Sequence, residues 1–367
     1  RPGGDMALLR GLLAHIVAKG LEDSESASGL NGFAELKAAL RGVDIDAAAA
    51  EAGVDGALLR QAAELFASAG TAAIVFGSGV AEGAQAAEVA AALADLALLT
   101  GNMGRPGGGL FPLYYTANAQ GLADMGVDAP ASKTVPEILD SAEAGTVRFL
   151  YVVGDDPALA SADEIRSRES LVKAPFVVVQ DSFLTETASY AHVVLPSVLP
   201  TETDGTYTNG EGYVQRVRPV AATWGESRGD WTIVNDIALR LGAGWTYTAP
   251  DAIMADIAES VPGYESLTYA SLEAAGQRRT VIGEPGVQAA LSVPSTAKLP
   301  DASSGPQAAF KLITGSVREH HGTGVRSSRS EGLIRLVPDA QARLSPADAE
   351  RLGLAEGDTV SVGAGGE

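Results

Sequence analysis

Apolar segments that resemble strands alternate with helical patterns over the first half of the chain, and this alternation restricts the fold more than any other feature. The segment TAAIVFGSG, residues 71–79, ends in a glycine turn and is followed by an alanine-rich predicted helix, AQAAEVAAALADLALLTG, residues 84–101, with Gly101 as its C-terminal stop. The same order returns in VRFLYVVGDDPALAS, residues 147–161, and in APFVVVQDSFLTETASYAHVVLP, residues 174–196. Because parallel strands need a crossover connection, which is usually a helix, this order predicts an α/β fold with parallel sheets.

Further helical patterns and a change of sequence style predict the domain organisation. DMALLRGLLAHIVAKG is amphipathic, with Asp5 as a candidate N-cap and Gly20 as a C-terminal stop. Ser345 is placed to cap a late helix, which a turn and a strand at DTVSV, residues 358–362, are expected to follow. We expect an α/β domain over residues 1–145, a second α/β domain over 146–245, a connector with short helices over 246–308, and the start of a β-rich domain over 309–367.

Composition excludes several classes of function. The formal net charge is −20 and the 26 Lys and Arg residues form no basic block, which argues against binding to nucleic acid. The absence of Cys excludes disulfides, thiolate zinc sites and cysteine-bound iron–sulfur clusters within these 367 residues, and the four His are too dispersed for a His-rich metal site. No apolar run reaches the roughly 18 residues of a membrane span. A start without Met and without a signal peptide leads us to expect a part of a longer protein.

Polar residues follow successive predicted strands, at the sheet edge where ligands collect in α/β folds. Asp155 and Asp156 follow the strand at residues 149–153, and Gln180 and Asp181 end the next strand, with Thr185 shortly after. These side chains either bind a ligand or cap the helices that follow them. The repetition at two strand ends supports an ancestral ligand site.

Two glycine-rich stretches have opposite interpretations. TETDGTYTNGEGYVQR, residues 201–216, reads as a polar loop beside the core that holds a ligand or once held one. FGSGVAEG, residues 76–83, resembles a dinucleotide turn, but Asp95 lies inside the predicted helix and not at the end of the next strand. We therefore interpret the second stretch as a tight turn rather than an NAD site.

Seven stretches together resemble the molybdopterin oxidoreductase superfamily, which includes formate dehydrogenases and nitrate reductases. They are RPGGDMALLRGL, LALLTGNMGRPGGG, ANAQGLADMG, VVVQDSFLTETASYAHVVLP, ETDGTYTNGEGYVQRVR, ITGSVREHHGTGVRSSRSEGL and LSPADAERLGLAEGDTVSV. The resemblance implies parallel-sheet, three-layer α/β domains of the formate dehydrogenase/DMSO reductase type. It also implies that the C-terminal segment begins a β-barrel domain of the molybdopterin dinucleotide-binding type.

The resemblance further implies an ancestral cleft for a pterin dinucleotide. The cleft either still binds the dinucleotide or is empty. The residues that it places there are Asp5, Asn118, Gln120, Gly154, Asp156, Gln180, Asp181, Thr185, Asn209 and His320. No catalytic residue and no metal ligand are expected among the 367 residues. We expect Asp5, Gly154, Gln180, Thr185 and Asn209 to converge on one cleft.

Departures from the family motifs favour the large iron–sulfur subunit of bacterial NADH-quinone oxidoreductase, respiratory complex I. Tyr114–Ala117 replaces an Arg-Gly-Gln-Asn-type run, and His320-His321-Gly322-Thr323-Gly324 replaces a His-x-His-Thr-Gly element. Gly154-Asp155-Asp156-Pro157 replaces a Gly-Glu-Asn-Pro turn and adds negative charge where a dinucleotide phosphate would approach. Tyr114 and Tyr115 are then expected to fill the old pterin pocket. This interpretation implies no cofactor in the fragment, which would be inactive alone, and iron–sulfur clusters upstream. Its partners would be the other subunits of the respiratory complex, and it would bind no nucleic acid. It would lie in the cytoplasm at the inner face of the membrane, without inserting into the membrane directly.

The alternative interpretation is the catalytic subunit of a molybdenum formate-dehydrogenase-like enzyme. In that case the chain binds bis-molybdopterin guanine dinucleotide, and the residue that ligates the metal lies before Arg1.

Overall fold

Parallel strands joined by helices form two separate sheets, as the alternation predicted. The computed structural model describes residues 1–81, 85–113, 116–127, 133–161, 163–280, 290–294, 310, 312–315, 317–320, 324–337 and 340–363. Within these residues the helices are α1 (Asp5–Lys19), α2 (Ser24–Ser28), α3 (Phe33–Leu40), α4 (Ile45–Ala52), α5 (Gly56–Ser68), α6 (Ser78–Ala81), α7 (Ala86–Leu99), α8 (Ala119–Asp124), α9 (Val135–Glu143), α10 (Pro157–Ala160), α11 (Glu164–Lys173), α12 (Asp230–Arg240), α13 (Pro250–Ser260), α14 (Glu331–Leu336) and α15 (Pro346–Leu352). The strands are β1 (Ala73–Phe76), β2 (Gly109–Pro112), β3 (Leu150–Val153), β4 (Val177–Asp181), β5 (Val193–Pro196), β6 (Gly205–Thr208), β7 (Tyr213–Val217) and β8 (Gln277–Arg278).

The chain divides into two units. The first comprises residues 1–114, 286–319 and 330–367, and the second comprises residues 115–285 and 320–329. The chain after residue 285 contributes to both units, so this division differs from the four successive segments expected from the sequence. Those segment boundaries stay a prediction.

Helix α1 is the centre of the first unit and packs against α4, α5 and α7. Its buried face includes Leu13 and Ile16, which pack in one cluster with residues of α3 and α7. The helix ends at Gly20, as predicted, because a φ of 64° suits glycine there. The prediction of Asp5 as the N-cap is wrong. Gly4 occupies that position, where an added Cβ would lie 2.9 Å from the Cα of Ala52, and Asp5 begins the first turn.

The first parallel sheet, β1 and β2, lies in the same unit, with Ala73 opposite Gly109 and Phe76 opposite Pro112. Helix α7 connects the two strands along the chain and ends before Gly101, the stop that the sequence predicted. Asp95 is buried inside α7, and its carboxylate accepts hydrogen bonds from the backbone N–H and the hydroxyl of Ser292. Asp95 therefore has a structural role, in agreement with the tight-turn interpretation.

The second parallel sheet has the strand order β3-β4-β5 and lies in the second unit. One face packs against the helices that precede and connect the strands, through Leu139 of α9, Leu171 of α11, and Leu150, Val177 and Val179 of the sheet. All five residues of β4 are buried, as expected for the central strand. Parallel pairing brings the carboxyl ends of the three strands to one edge, where the sequence placed its polar residues.

The stretch over residues 201–216 is a β-hairpin and not the polar loop that we expected. Strands β6 and β7 pair antiparallel, with Thr208 opposite Val214, and β8 adds to the other edge of β7. Val214 packs on Met254 and Tyr264, in a core built partly by the connector residues and α13. The many glycine and polar residues of this stretch did not indicate a hairpin, because strand preference depends on packing against the paired strand.

The described residues of the C-terminal segment form α14 and α15 but no strand. Ser345 caps α15 as predicted, with its hydroxyl accepting from the backbone N–H of Asp348 at 3.1 Å. The strand expected around residues 358–362 is not formed, because a strand needs a partner for its hydrogen-bond ladder. Among the described residues, no helix has the length and apolar character needed to cross a membrane.

Candidate functional site

The carboxyl edge of the β3-β4-β5 sheet gathers several of the predicted residues. Gly154 follows β3 with a φ of 64°, a conformation that favours glycine, and its N–H donates to the carbonyl of Gln180 at 2.9 Å. The Arg326 guanidinium lies against this turn, with Nη2 3.3 Å from the position that a Cβ on Gly154 would take. The turn is solvent-exposed and carries no side chain, so a ligand could approach its backbone closely.

Gln180 is fully buried, and its amide is held at both ends. Its Nε2 donates to Asp230 Oδ1 at 2.6 Å, and its Oε1 accepts from the hydroxyl of Tyr151. Burial, and to a smaller extent the charge of Asp230, raise the pKa of Tyr151. The hydroxyl therefore stays protonated and keeps the orientation of the Gln180 amide fixed.

Asp156 is 1% exposed and its carboxylate is used inside the protein. It accepts from the backbone N–H and the hydroxyl of Thr187, at 2.8 and 2.6 Å, and from the N–H of Glu186 at 3.2 Å. The Thr187 hydroxyl in turn accepts from the N–H of Ala158 at 3.0 Å. The side chain thus stabilises the start of the 3₁₀ helix Thr187–Tyr190. These bonds are not a cap on the helix that follows Asp156, which was one of the two predicted alternatives. Contact with a ligand, the other alternative, stays a prediction.

Asp181 and Thr185 are also buried and satisfied within the protein. Asp181 Oδ1 accepts from the N–H of Phe183 at 3.0 Å, and its carbonyl accepts from the N–H of Ser197 at 3.0 Å. Thr185 Oγ1 accepts from the N–H of Ala188 at 3.2 Å. Both side chains shape the turn after β4, and their contact with a ligand stays a prediction.

Two arginines that the sequence analysis did not single out lie beside this edge. Arg329 donates to the carbonyl of Leu184 at 3.2 Å and its guanidinium lies 4.8 Å from the centre of the Phe183 ring. Within the described residues Arg326 has no ion pair or hydrogen bond from its guanidinium, although it lies beside Gly154. The signal was available in GVRSSRS, where two arginines three residues apart follow a glycine-rich turn.

The side chains of two histidines in the second unit, His320 and His192, contact neighbouring residues of the protein. His320 Nδ1 lies 3.0 Å from Ser327 Oγ, within the segment that carries the arginines. His192 Nδ1 accepts from the N–H of Val177 at 3.1 Å, and its ring packs on Phe176. His192 is therefore a satisfied edge residue, and His320 as a cofactor contact stays a prediction.

Asn118 and Gln120 belong to a second polar cluster in the same unit. Asn118 Oδ1 accepts from the N–H of Thr208 at 2.8 Å, and Gln120 Nε2 donates to Asp124 Oδ1 at 2.8 Å. Tyr264 donates to Asp124 Oδ2 at 2.7 Å and lies 2.8 Å from Thr208 Oγ1. Burial raises the pKa of Tyr264 to about 12. The cluster therefore joins helix α8, strand β6 and the segment after α13.

The remaining predicted residues lie elsewhere. Asn209 forms the turn of the β6–β7 hairpin, where its Oδ1 accepts from the N–H groups of Glu211 and Tyr213, both at 3.0 Å. Asp5 is exposed in the first unit, whereas the other nine predicted residues belong to the second. Tyr114, Tyr115 and His321 lie outside the described residues, so the prediction that the two tyrosines fill the pterin pocket stays a prediction. The convergence of the predicted residues on one cleft also stays a prediction.

The side-chain chemistry of the described residues is that of a binding site for a polar ligand. No group of three or more His, Cys, Asp or Glu among them is arranged to hold a metal ion. What the sheet edge offers is an open guanidinium, a bare glycine turn and an oriented amide beneath it. These groups suit an anionic or nucleotide-like ligand.

Comparisons with known families identify the chain. The model of the molybdopterin oxidoreductase family matches residues 1–240, and that of the molydopterin dinucleotide binding domain matches residues 310–364. The chain belongs to the molybdopterin oxidoreductase family. The expected fold class is confirmed, since acetylene hydratase from Pelobacter acetylenicus has the same fold, with a TM-score of 0.78 at 18% identity over 98% of this chain and 59% of that one.

Two relatives in this family illustrate its activities. The NADPH-Fe(3+) oxidoreductase subunit alpha of Geobacter sulfurreducens is 33% identical, and the match covers 100% of this chain and 44% of the relative. A formate dehydrogenase subunit alpha of Methanocaldococcus jannaschii is 30% identical, over 98% of this chain and 60% of the relative. The chain spans about half the length of these relatives. Neither is named as a complex I subunit, so these matches do not support the complex I interpretation and agree better with the alternative.

Proposed function

We propose that the full-length protein is the catalytic subunit of a formate-dehydrogenase-like oxidoreductase that holds a molybdopterin guanine dinucleotide. The observation that carries the proposal is the double match, to the oxidoreductase family over residues 1–240 and to the dinucleotide-binding domain over residues 310–364. The 30% identity to a formate dehydrogenase alpha subunit supports formate as the substrate and other subunits as electron-transfer partners.

The residues at the sheet edge fit such a cofactor. Arg326 presents a guanidinium that has no partner among the described residues and that matches the geometry and charge of a phosphate oxygen pair. Gly154 lacks a side chain at the turn where this guanidinium lies, so a phosphate could contact both. The carboxylate of Asp156, which the sequence placed near a phosphate, accepts three hydrogen bonds from N–H and O–H groups of the protein.

The division of roles follows from these contacts. When bound, the metal–pterin group supplies the two-electron exchange that converts formate to carbon dioxide, a proton and two electrons. The chain described here binds and orients: Arg326 attracts the phosphates, and Gly154 permits close approach. Tyr151 and Asp230 hold the Gln180 amide in one orientation beneath the turn. Since the pKa of Tyr151 is raised, this orientation does not change at physiological pH.

The test uses the full-length protein purified with its partner subunits. We expect molybdenum or tungsten in metal analysis, a fluorescent pterin after denaturation and oxidation, and formate-dependent reduction of a viologen dye. Arg326→Gln should retain the melting temperature of the wild type, because the guanidinium has no partner within the described residues. It should weaken cofactor binding by about tenfold or more, the size of a lost charge-assisted hydrogen bond.

Arg343→Gln is the matched control, because Arg343 is exposed and also has no ion pair within the described residues. It should retain the pterin content of the wild type. A wild-type complex that contains iron–sulfur clusters but neither pterin nor molybdenum or tungsten would overturn the proposal and restore the complex I interpretation.

A further inference from the structure

Asp124 lies at the centre of a polar junction that no motif in the sequence indicated. Its Oδ1 accepts from Gln120 Nε2 at 2.8 Å, and its Oδ2 accepts from the Tyr264 hydroxyl at 2.7 Å. Arg279 Nε lies 2.7 Å from the same Oδ2, off the line of its N–H bond, which makes this contact an ion pair. The side chains of Asp124 and Arg279 are 13% and 16% exposed, so the pair is largely removed from water.

The direction of the hydrogen bonds follows from the donors available. The Tyr264 hydroxyl has one proton and gives it to the carboxylate, which can only accept. The contact of 2.8 Å between Tyr264 and Thr208 is therefore a bond in which the Thr208 hydroxyl donates. Because burial raises the pKa of Tyr264 to about 12, this direction is the same at every physiological pH.

The chain of bonds closes into a ring at Asn118. Strand β6 is the edge of its sheet, and the backbone N–H of Thr208 points away from β7 to donate to Asn118 Oδ1 at 2.8 Å. Asn118 precedes α8, and Asp124 is the last residue of that helix. The ring therefore runs from Asn118 along α8 to Asp124, then through Tyr264 and Thr208 back to Asn118.

Each of the side-chain amides of Asn118 and Gln120 keeps one end that is not used in these hydrogen bonds. Asn118 uses Oδ1 and Gln120 uses Nε2, while the Asn118 amide N–H groups and Gln120 Oε1 have no hydrogen-bond partner in the described structure. A Cβ on Gly121 would lie 2.2 Å from Asn118 Oδ1, so glycine is required for the Asn118 side chain to fold over the helix start. The hydrogen bonds of the junction thus fix which end of the Asn118 and Gln120 side-chain amides, the oxygen or the nitrogen, faces the ring.

We propose that Asp124, Tyr264 and Thr208 are positioning residues that orient the Asn118 amide N–H groups and Gln120 Oε1 toward the pterin dinucleotide. This inference rests on the proposed cofactor. None of the three needs to touch the ligand. Their role is to fix which end of each amide faces it, so that a donor and an acceptor are presented side by side without reorganisation on binding.

The experiment compares Tyr264→Phe with Tyr269→Phe in the full-length protein with its partner subunits. Both rings pack in the same core, and both variants lose one buried hydroxyl. The Tyr269 hydroxyl has no hydrogen-bond partner in the described residues, which makes it the matched control. Tyr264→Phe should lower pterin content or cofactor affinity by about tenfold, the usual size of a lost orienting contact, and Tyr269→Phe should not.

Hydrogen exchange of the Thr208 amide gives a readout that does not depend on the cofactor. In Tyr264→Phe this amide should exchange faster because Asn118 is less well held, and in Tyr269→Phe it should be unchanged. If Tyr264→Phe fails to fold, Thr208→Val and Thr208→Ser replace it: Val removes the donor, and Ser retains it and should restore cofactor content.

The possible failures are distinguishable. Pterin in the wild type together with equal pterin in Tyr264→Phe and Tyr269→Phe overturns the positioning role and leaves the proposed function intact. Unchanged exchange at Thr208 in Tyr264→Phe also overturns it, because the ring would then not hold Asn118. A wild type without pterin overturns the proposed function, and the assignment of the ring to that cofactor falls with it.

Discussion

At the residue scale, the buried hydroxyl of Tyr264 is held by Asp124 and Thr208, and its protonation affects stability. Tyr264 is 2% exposed and its pKa is raised to about 12 by burial. In the unfolded chain a tyrosine loses its proton near pH 10. Between these two values the unfolded state is deprotonated while the folded state is not, so stability falls as the pH rises through this window.

We therefore expect an alkaline loss of stability to which Tyr264 contributes about 2 to 3 kcal/mol, fully present below pH 10 and lost by pH 12. Urea unfolding at intervals between pH 9 and 12 measures it. Tyr264→Phe should be less stable at pH 8 but should lose less on going to pH 12. Tyr213→Phe, which changes an exposed ring, should follow the wild type. Parallel curves for all three proteins would contradict the assignment.

At the element scale, single side chains join elements that are distant in sequence. Asp156 ends the turn after β3 and accepts hydrogen bonds at the start of the 3₁₀ helix, 30 and 31 residues later. This one carboxylate therefore couples the edge of the sheet to the segment that leads into β5.

Replacing Asp156 with Ala should destabilise the protein by about 3 kcal/mol, because two N–H groups and a hydroxyl lose their acceptor in the interior. Asp155→Ala is the control: Asp155 is exposed and its side chain accepts, among the described residues, only from the next N–H. Its loss should therefore cost less than about 1 kcal/mol. Chemical denaturation of both variants decides the matter. Similar losses of unfolding free energy in the two variants would mean that the buried hydrogen bonds of Asp156 do not stabilise the fold more than the exposed bond of Asp155.

At the scale of the whole molecule, charge is the dominant feature. With 46 Asp and Glu against 26 Lys and Arg, the net charge of −20 produces repulsion that opposes the folded state. Many of the ion pairs are exposed and contribute little individually, so they do not cancel this effect. Screening by salt should then stabilise the protein, since surface charges interact only over about 10 Å at 0.1 M salt.

We expect the melting temperature to rise when sodium chloride is added to a low-salt buffer. The double variant Glu226→Lys and Glu259→Lys changes two exposed residues and moves the net charge from −20 to −16, because each substitution removes one negative charge and adds one positive charge. It should show a smaller rise with salt than the wild type. A salt response that is equal in both proteins would show that repulsion is not its cause.

The sequence by itself determined the parallel α/β fold, the helix ends at Gly20 and Gly101, and the family. These features depend on local patterns: apolar runs for strands, helical periodicity, and glycines where the backbone turns back. The position of Gly154 and Gln180 at one sheet edge could also be predicted, because parallel strands end on the same side.

Only the tertiary structure decided the hairpin over residues 201–216, the partners of Asp156, and the placement of Arg326 beside Gly154. It also decided the bond between Tyr264 and Asp124, which joins residues 140 positions apart. The physical reason is the same in each case. A polar side chain makes its bonds to whichever donors the fold brings within 3 Å or so, and local periodicity contains no information about segments that far away.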